Sequence, residues 1–295
     1  MTIPNDIRYR PSIAGRVARL VLPVLHAILP ESLFRRFYEF LYRHYKKTLR
    51  VLYYSHVLYA RVFGNEQELA KARLTFRLLP YTMGGYRALE NAFEITTLAE
   101  SKNLIGAIVE CGVAEGGTSA MMALVSKQLG AVSRTKWLFD SFEGLPDPTE
   151  KDYRNGQVGE VIRPIGRGEC LGTIEQVQEL MFKKLALPQG EVQLVKGWFQ
   201  DTVPTHREKV GPIAILRLDG DWYESTKIPL ENFYGQVVPG GYVIIDDYAT
   251  CFGARKATDE FRLENDIPSP LIPDGRGGAW FEKPNATSTR CVQRR

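Results

Sequence analysis

Cysteine is scarce in this chain: Cys111, Cys170, Cys251 and Cys291 are the only four, each far from the next. No pair has the spacing of zinc ligands or of a CxxC motif. That argues against a structural zinc site and a disulfide framework, and a reduced, cytoplasmic setting is expected. Long apolar runs are also missing. The longest, residues 17–29, is broken by Arg19, Pro23 and His26 and falls short of the roughly 20 apolar residues of a membrane span. It leads into a basic, aromatic stretch and not into a small-residue cleavage site, so no signal peptide is expected. There is no internal repeat, no low-complexity tract and no GxGxxG phosphate loop. An apolar fraction of 44% and a charged fraction of 24% exclude a disordered or fibrous chain. The length suits one large domain or one domain with an extension.

What is present is unevenly spread. Residues 1–77 carry 14 Lys and Arg against 5 Asp and Glu; subtraction from the totals of 38 and 34 leaves 24 against 29 beyond position 77. A basic segment thus precedes a mildly acidic body, and it holds 12 of the 28 Phe and Tyr side chains. Within it Leu33, Phe34, Phe37, Tyr38, Leu41, Tyr42 and Tyr45 recur at helical spacing, with Arg35, Arg36, Arg43, Lys46 and Lys47 largely outside the stripe. This is the pattern of an amphipathic basic helix. Such a helix packs on the body of the protein, forms the subunit interface of a homo-oligomer, or makes peripheral membrane contact on anionic lipid. No nucleic-acid module follows it, and no nucleic-acid partner is expected.

From residue 86 onward, helical and strand patterns alternate. Helices are expected over 86–100, 119–129, 175–187, 226–234 and 254–264. Strands are expected over 105–110, 136–140, 192–197, 213–219 and 241–246, and a closing hairpin pairs 271–272 with 279–282. This order implies an α/β fold with a doubly wound, mainly parallel seven-stranded sheet. Ligands of such sheets bind beyond the carboxyl ends of the strands.

Those strand ends are rich in acids. The first runs into Glu110-Cys111-Gly112-Val113-Ala114-Glu115-Gly116-Gly117-Thr118-Ser119. Glycines permit a sharp turn and close approach to a ligand, and the helix that follows begins with free amides. Two carboxylates beside such a loop repel phosphate and suit a ligand with an ammonium or sulfonium charge. S-adenosylmethionine fits; a plain strand-to-helix turn is the alternative. The second strand closes on Asp140, where an acid accepts hydrogen bonds from ribose hydroxyls. Phe142 follows and offers a ring to cover adenine. Two later strands end in Asp219-Gly220-Asp221 and Asp246-Asp247. Carboxylates converging at one rim are costly without a shared cation or proton. Oxygen ligands with no Cys or His among them suit a hard ion, Mg²⁺ first, with Ca²⁺ or Mn²⁺ as alternatives.

The run Leu216-Arg217-Leu218-Asp219-Gly220-Asp221-Trp222-Tyr223-Glu224-Ser225-Thr226 is similar to the signature of the macrocin O-methyltransferase family, whose members methylate sugar hydroxyls in macrolide and aminocoumarin antibiotics. Asp140-Ser141-Phe142-Glu143-Gly144-Leu145-Pro146 and Pro239-Gly240-Gly241-Tyr242-Val243-Ile244-Ile245-Asp246-Asp247-Tyr248 resemble further motifs of that family. Tyr81-Thr82-Met83 resembles its segment ahead of the core that closes over the cofactor. The resemblance covers residues 78–282 and implies a Rossmann-like class I methyltransferase domain over 78–295 behind a helical N-terminal extension over 1–77. It implies S-adenosylmethionine and Mg²⁺ as cofactors. By position, Thr82, Met83, Glu110, Gly112, Ser119, Asp140, Ser141 and Phe142 match cofactor contacts, and Gly197 and Trp198 could flank the adenine. Asp219, Asp246 and Asp247 match the metal ligands. Asp219 also matches the family's proposed general base, with Asp221 as its rival two positions on. Some relatives use a histidine base just after the first metal aspartate; this chain has none there.

The expectation is therefore a metal-dependent O-methyltransferase acting on a hydroxyl of a sugar or glycosylated small molecule. Residues 146–172, with Tyr153, Arg163 and Arg167, read as a lid or acceptor loop. A catechol-like phenol is an alternative acceptor, and a non-catalytic cofactor-binding protein is an alternative role. Tyr223 and Lys227 have the Tyr-x-x-x-Lys spacing of some nicotinamide oxidoreductases, a reading weakened by the missing phosphate loop.

Overall fold

Five segments form the parallel part of one sheet: β1 (Ala107–Cys111), β2 (Lys136–Asp140), β3 (Val192–Lys196), β4 (Ile213–Leu218) and β5 (Val237–Ile245). Two short strands, β6 (Ile272–Pro273) and β7 (Ala279–Glu282), complete it in the order β3-β2-β1-β4-β5-β7-β6, with β7 antiparallel to both neighbours. The computed structural model describes residues 7, 13–131, 133–160 and 166–285; Arg163 and Cys291 lie outside them. β1 and β4 are buried along their whole length, as strands covered on both faces must be, which is why they read as apolar runs.

The helices are α1 (Ile13–Ile28), α2 (Glu31–Phe63), α3 (Glu66–Leu78), α4 (Gly85–Ser101), α5 (Gly117–Leu129), α6 (Ile174–Gln178), α7 (Phe199–Val210), α8 (Tyr223–Phe233) and α9 (Phe252–Glu264). On one face of the sheet Leu89 and Phe93 of α4 and Met121 and Val125 of α5 pack on Ile108 and Ile215. On the other, Val203 of α7, Leu230 and Phe233 of α8 and Phe261 of α9 pack on Val109, Leu216 and Val243. Tyr53 of α2 and Leu74 and Leu78 of α3 belong to the first of these cores. Residue 77 therefore marks a change in charge and not a break in packing. α3 starts on a capping box between Asn65 and Glu68, which supplies two of the amide donors left free at a helix start with acceptors.

Register brings the acids together. Cys111 pairs with Leu218, and Leu218 with Ile245, so Gly112, Asp219 and Asp246 leave the sheet side by side. Cys111 also pairs with Phe139, which sets Asp140 at the same level.

Some elements differ from the sequence expectation. α7 is not among the expected helices: it contains Pro204 and buries only Val203 and Val210, so it shows no periodic stripe. The helix expected over 175–187 is the short α6 followed by a π-helical turn, Glu179–Lys184. The basic helix expected near 33–47 runs on to Phe63. Its aromatic stripe divides, with Phe34 buried and Leu33, Phe37, Leu41 and Tyr45 turned outward. Among the described residues, no helix is long and apolar enough to cross a membrane, and Cys111, Cys170 and Cys251 are free thiols.

Candidate active site

The loop after β1 turns on Gly112 (φ +95°), Ala114 (φ +46°) and Gly116 (φ +83°). A Cβ on Gly112 would stand 1.8 Å from the Asp219 carbonyl oxygen. Glycine is thus needed here so that the ends of β1 and β4 can meet, with the Asp219 amide donating to the Cys111 carbonyl at 2.8 Å. Asp140 braces this loop: its Oδ2 accepts from the amides of Val113 (2.7 Å) and Ala114 (2.9 Å), and its Oδ1 from that of Phe142 (2.7 Å).

Glu110, expected as a cofactor contact, does not border the cavity described below. It is fully buried and accepts from Thr118 Oγ1 (2.6 Å), from Ser119 Oγ and from the Arg217 guanidinium (2.5 Å). Its carboxylate ties the start of α5 to β4 and does not reach the cleft. Arg217, 2% exposed, also donates to Asp219 Oδ2 (2.8 Å) and to Asp246 Oδ1. Arg276, in the β6–β7 turn, donates to Asp246 Oδ2 and to the Asp246 carbonyl. The sequence holds a clue to the first of these. An arginine inside a buried strand needs a carboxylate, and Glu110 is its register partner on β1. No spacing announces Arg276.

Asp219, Asp246 and Asp247 each offer an oxygen within 4.8 Å of the others, and Asp221, Asp247 and Cys251 form a second such group. Six carboxylates (Glu110, Asp219, Asp221, Asp246, Asp247 and Asp274) thus gather round two guanidinium groups. Burial pushes the Asp247 carboxyl well up, with Asp221, Asp246 and Asp219 adding to it. Burial and then the Asp219 charge push Asp221 up to about 7. Asp246 is also buried, but Arg276 and Arg217 outweigh that and hold it below the usual carboxylate range. Asp247 Oδ1 accepts from Thr250 Oγ1 at 2.8 Å, whereas the buried Oδ2 has no hydrogen-bond partner among the described residues. Excess negative charge and an orphaned buried carboxylate oxygen are what a hard cation would satisfy, so the residues present fit one.

Asp221 sits at φ +60°, the left-handed region that aspartate enters more readily than most non-glycine residues. Among the described residues its carboxylate accepts only from the Cys251 thiol, at 3.5 Å. Next to it, Trp222 is buried and its Nε1 donates to the Pro146 carbonyl at 3.0 Å. That bond belongs to a wall built from the segment read as a lid. Asp152 Oδ1 accepts from the Tyr223 amide at the start of α8 (2.6 Å), the Glu160 amide donates to the Thr250 carbonyl (2.7 Å), and Leu145 and Val158 pack with Trp222, Cys251 and Ala254. At the far end of the segment, a Cβ on Gly172 would stand 1.9 Å from the Ala114 carbonyl oxygen. Tyr153 and Arg167 are exposed, and Arg167 still borders the cleft.

These walls enclose a cavity of about 680 Å³. Of the expected site residues, Met83, Gly112, Asp140, Ser141, Trp198, Asp219, Asp246 and Asp247 border it, and so does Asp221. Thr82, Glu110, Ser119, Phe142 and Gly197 stand behind the wall. Thr82 Oγ1 accepts from the Gly84 amide (3.2 Å), and the Gly197 amide donates to the Asp140 carbonyl (2.9 Å). Phe142, expected to cover the adenine, has φ +53° and is packed in the core, outside the cavity lining. Phe199, Trp222, Ile228 and Arg276 line the cavity in addition. Tyr223 hydrogen-bonds Glu260 and Lys227 and is not part of that lining, which gives the Tyr-x-x-x-Lys spacing a local structural role.

The profile of the macrocin O-methyltransferase (TylF) family matches residues 21–283. The chain is 36% identical over 203 residues to the demethyldecarbamoylnovobiocin O-methyltransferase of Streptomyces niveus, covering 69% of this chain and 76% of that protein. It is 34% identical over 253 residues, 84% of this chain and 94% of the other, to the 8-demethyl-8-(2,3-dimethoxy-alpha-L-rhamnosyl)-tetracenomycin-C 4'-O-methyltransferase of Streptomyces olivaceus. The solved structure of the O-methyltransferase NovP superposes with a TM-score of 0.61 at 35% identity, over 70% of this chain and 83% of that one.

Proposed function

The chain belongs to the macrocin O-methyltransferase family, and from that premise we propose that it moves a methyl group from S-adenosylmethionine to a hydroxyl of a sugar or glycosylated small molecule with the help of a divalent ion, Mg²⁺ first. The relatives above act on antibiotic intermediates, one of them rhamnosylated; the carbohydrate acceptor is carried over from them. The observation that supports the metal is the buried Oδ2 of Asp247, which has no hydrogen-bond partner among the described residues, beside Asp219 and Asp246.

In this reading the loop 112–116, Asp140, Ser141, Met83 and Trp198 hold the cofactor, which supplies the electrophilic methyl. Asp219, Asp246 and Asp247 hold the ion, which when bound supplies Lewis-acid polarisation of the acceptor oxygen. Arg217 and Arg276 fix the Asp219 and Asp246 carboxylates, so that their ligand geometry is set before anything binds. The proton acceptor is Asp221 in preference to Asp219. Asp219 Oδ2 is taken by Arg217 and the residue serves the ion, whereas Asp221 faces the same cavity with no guanidinium on it. A general base must reach the proton it removes. The fixed segment 145–160 and Trp222 shield that end of the cleft from water.

The test is transfer of a labelled methyl group from S-adenosylmethionine to a panel of glycosides, free sugars, catechols and simple phenols. Methylation of a sugar hydroxyl supports the reading. Turnover confined to catechols would overturn the acceptor class, and absence of cofactor binding would overturn the whole.

A further inference from the structure

Of the 24 large apolar side chains exposed among the described residues, 17 sit on α1 and α2. They are not scattered. On α2, Leu33, Phe37, Phe40, Val51, Leu58 and Val62 are all exposed, and their spacing places them on one side of the helix. On α1, Leu20, Val24 and Ile28 are exposed in the same way. The opposite side of α2 is fastened to the body. Tyr53 and Ala60 are buried, Tyr53 donates to Glu90 at 2.6 Å, and Lys46 pairs with Glu115 in the loop after β1; near the start of α2, Phe34 is buried against His26 of α1. Among the described residues nothing covers the outward side, where the apolar side chains stand in two runs on either side of His44, Lys47 and Thr48, and exposed apolar side chains gathered on one side of a helix mark an interaction site.

Charge decides between occupants. Residues 13–63 contain 9 Lys and Arg and 2 Asp and Glu, a balance of +7. Arg36, Lys47, Arg50 and Arg61 follow one another along the flank of α2 beside the apolar stripe. A second copy meeting this face would set like charge against like charge. An anionic bilayer supplies the opposite sign, with phosphates for the flank and an apolar boundary for the stripe. Neither helix is long and apolar enough to cross a membrane, so the geometry is that of helices lying in the interface. We infer that α1 and α2 form a docking surface for an anionic lipid bilayer. The inference does not depend on which hydroxyl the enzyme methylates.

The experiment is flotation of the full chain with vesicles of phosphatidylcholine mixed with phosphatidylglycerol, against vesicles of phosphatidylcholine alone. Binding is expected to the mixed vesicles only and to weaken with salt. The triple variant Phe40→Ser/Val51→Ser/Val62→Ser is expected to bind roughly tenfold or more weakly, and so is Arg36→Gln/Lys47→Gln/Arg61→Gln. Leu263→Ser, at an exposed site on α9, is expected to bind as wild type does. Circular dichroism checks that each variant is folded, and the charge variant keeps the test intact where the apolar one fails to fold. Three results would overturn the proposal: no binding to mixed vesicles, equal binding by folded variants, or a dimer in light scattering that the same substitutions abolish.

Discussion

Arg217 shows how one side chain can serve both stability and chemistry. Its guanidinium joins Glu110 of β1 to Asp219 and Asp246 at the ends of β4 and β5. Removing it leaves buried carboxylates without their cation, so Arg217→Met is expected to lower the free energy of unfolding by about 3–5 kcal/mol, read from denaturant titration. Arg217→Lys keeps the charge but loses the planar fork, and is expected to fall between the two. At Gly112 an added methyl meets the Asp219 backbone at a positive φ. Gly112→Ala is expected to cost roughly 2 kcal/mol or more, again by denaturant titration. Asp221 separates the two candidate bases. Asp221→Asn is expected to lower kcat by about 10²–10⁴ while calorimetry finds cofactor affinity unchanged. An unaltered kcat would return the role to Asp219.

At the scale of elements, the segment 145–160 is fixed in place by backbone hydrogen bonds and by Asp152. Asp152→Ala removes the acceptor for the first amide of α8. It is expected to cost about 1 kcal/mol, to speed limited proteolysis within 146–160, and to raise the acceptor KM while cofactor binding holds. None of this is visible in the sequence, where Thr149, Glu150, Lys151 and Asp152 look like solvated loop residues. The partners of Asp152 and Lys151, Tyr223 and Glu224, come only after β3, α7 and β4 have intervened, and no local pattern carries such information. β1, β4 and the second half of β5 are legible because burial on both faces forces continuous apolar runs, β2 and β3 show as shorter, partly buried runs, and the acids that close β1, β2, β4 and β5 mark the rim. The Arg217 pairing of Glu110 is not legible because an acid at a strand end looks the same whether it faces a ligand or a buried arginine. α7 escapes notice because an edge helix with two buried valines and an internal proline has almost no hydrophobic signal.

The whole molecule combines an acidic cleft at the carboxyl edge of a doubly wound sheet with a basic helical segment packed against the same core. Parallel register gathers Gly112, Asp140, Asp219 and Asp246 at one level, and Asp247 then lies beside Asp219 with an oxygen that is unpartnered among the described residues. The decisive measurement is methyl transfer to the best acceptor of the panel, before and after divalent ions are stripped and Mg²⁺ is restored. The expected result is a fall of about a hundredfold or more, reversed by Mg²⁺ in the wild type and not in Asp247→Asn. A rate that chelation leaves unchanged would contradict the assignment of these carboxylates to an ion.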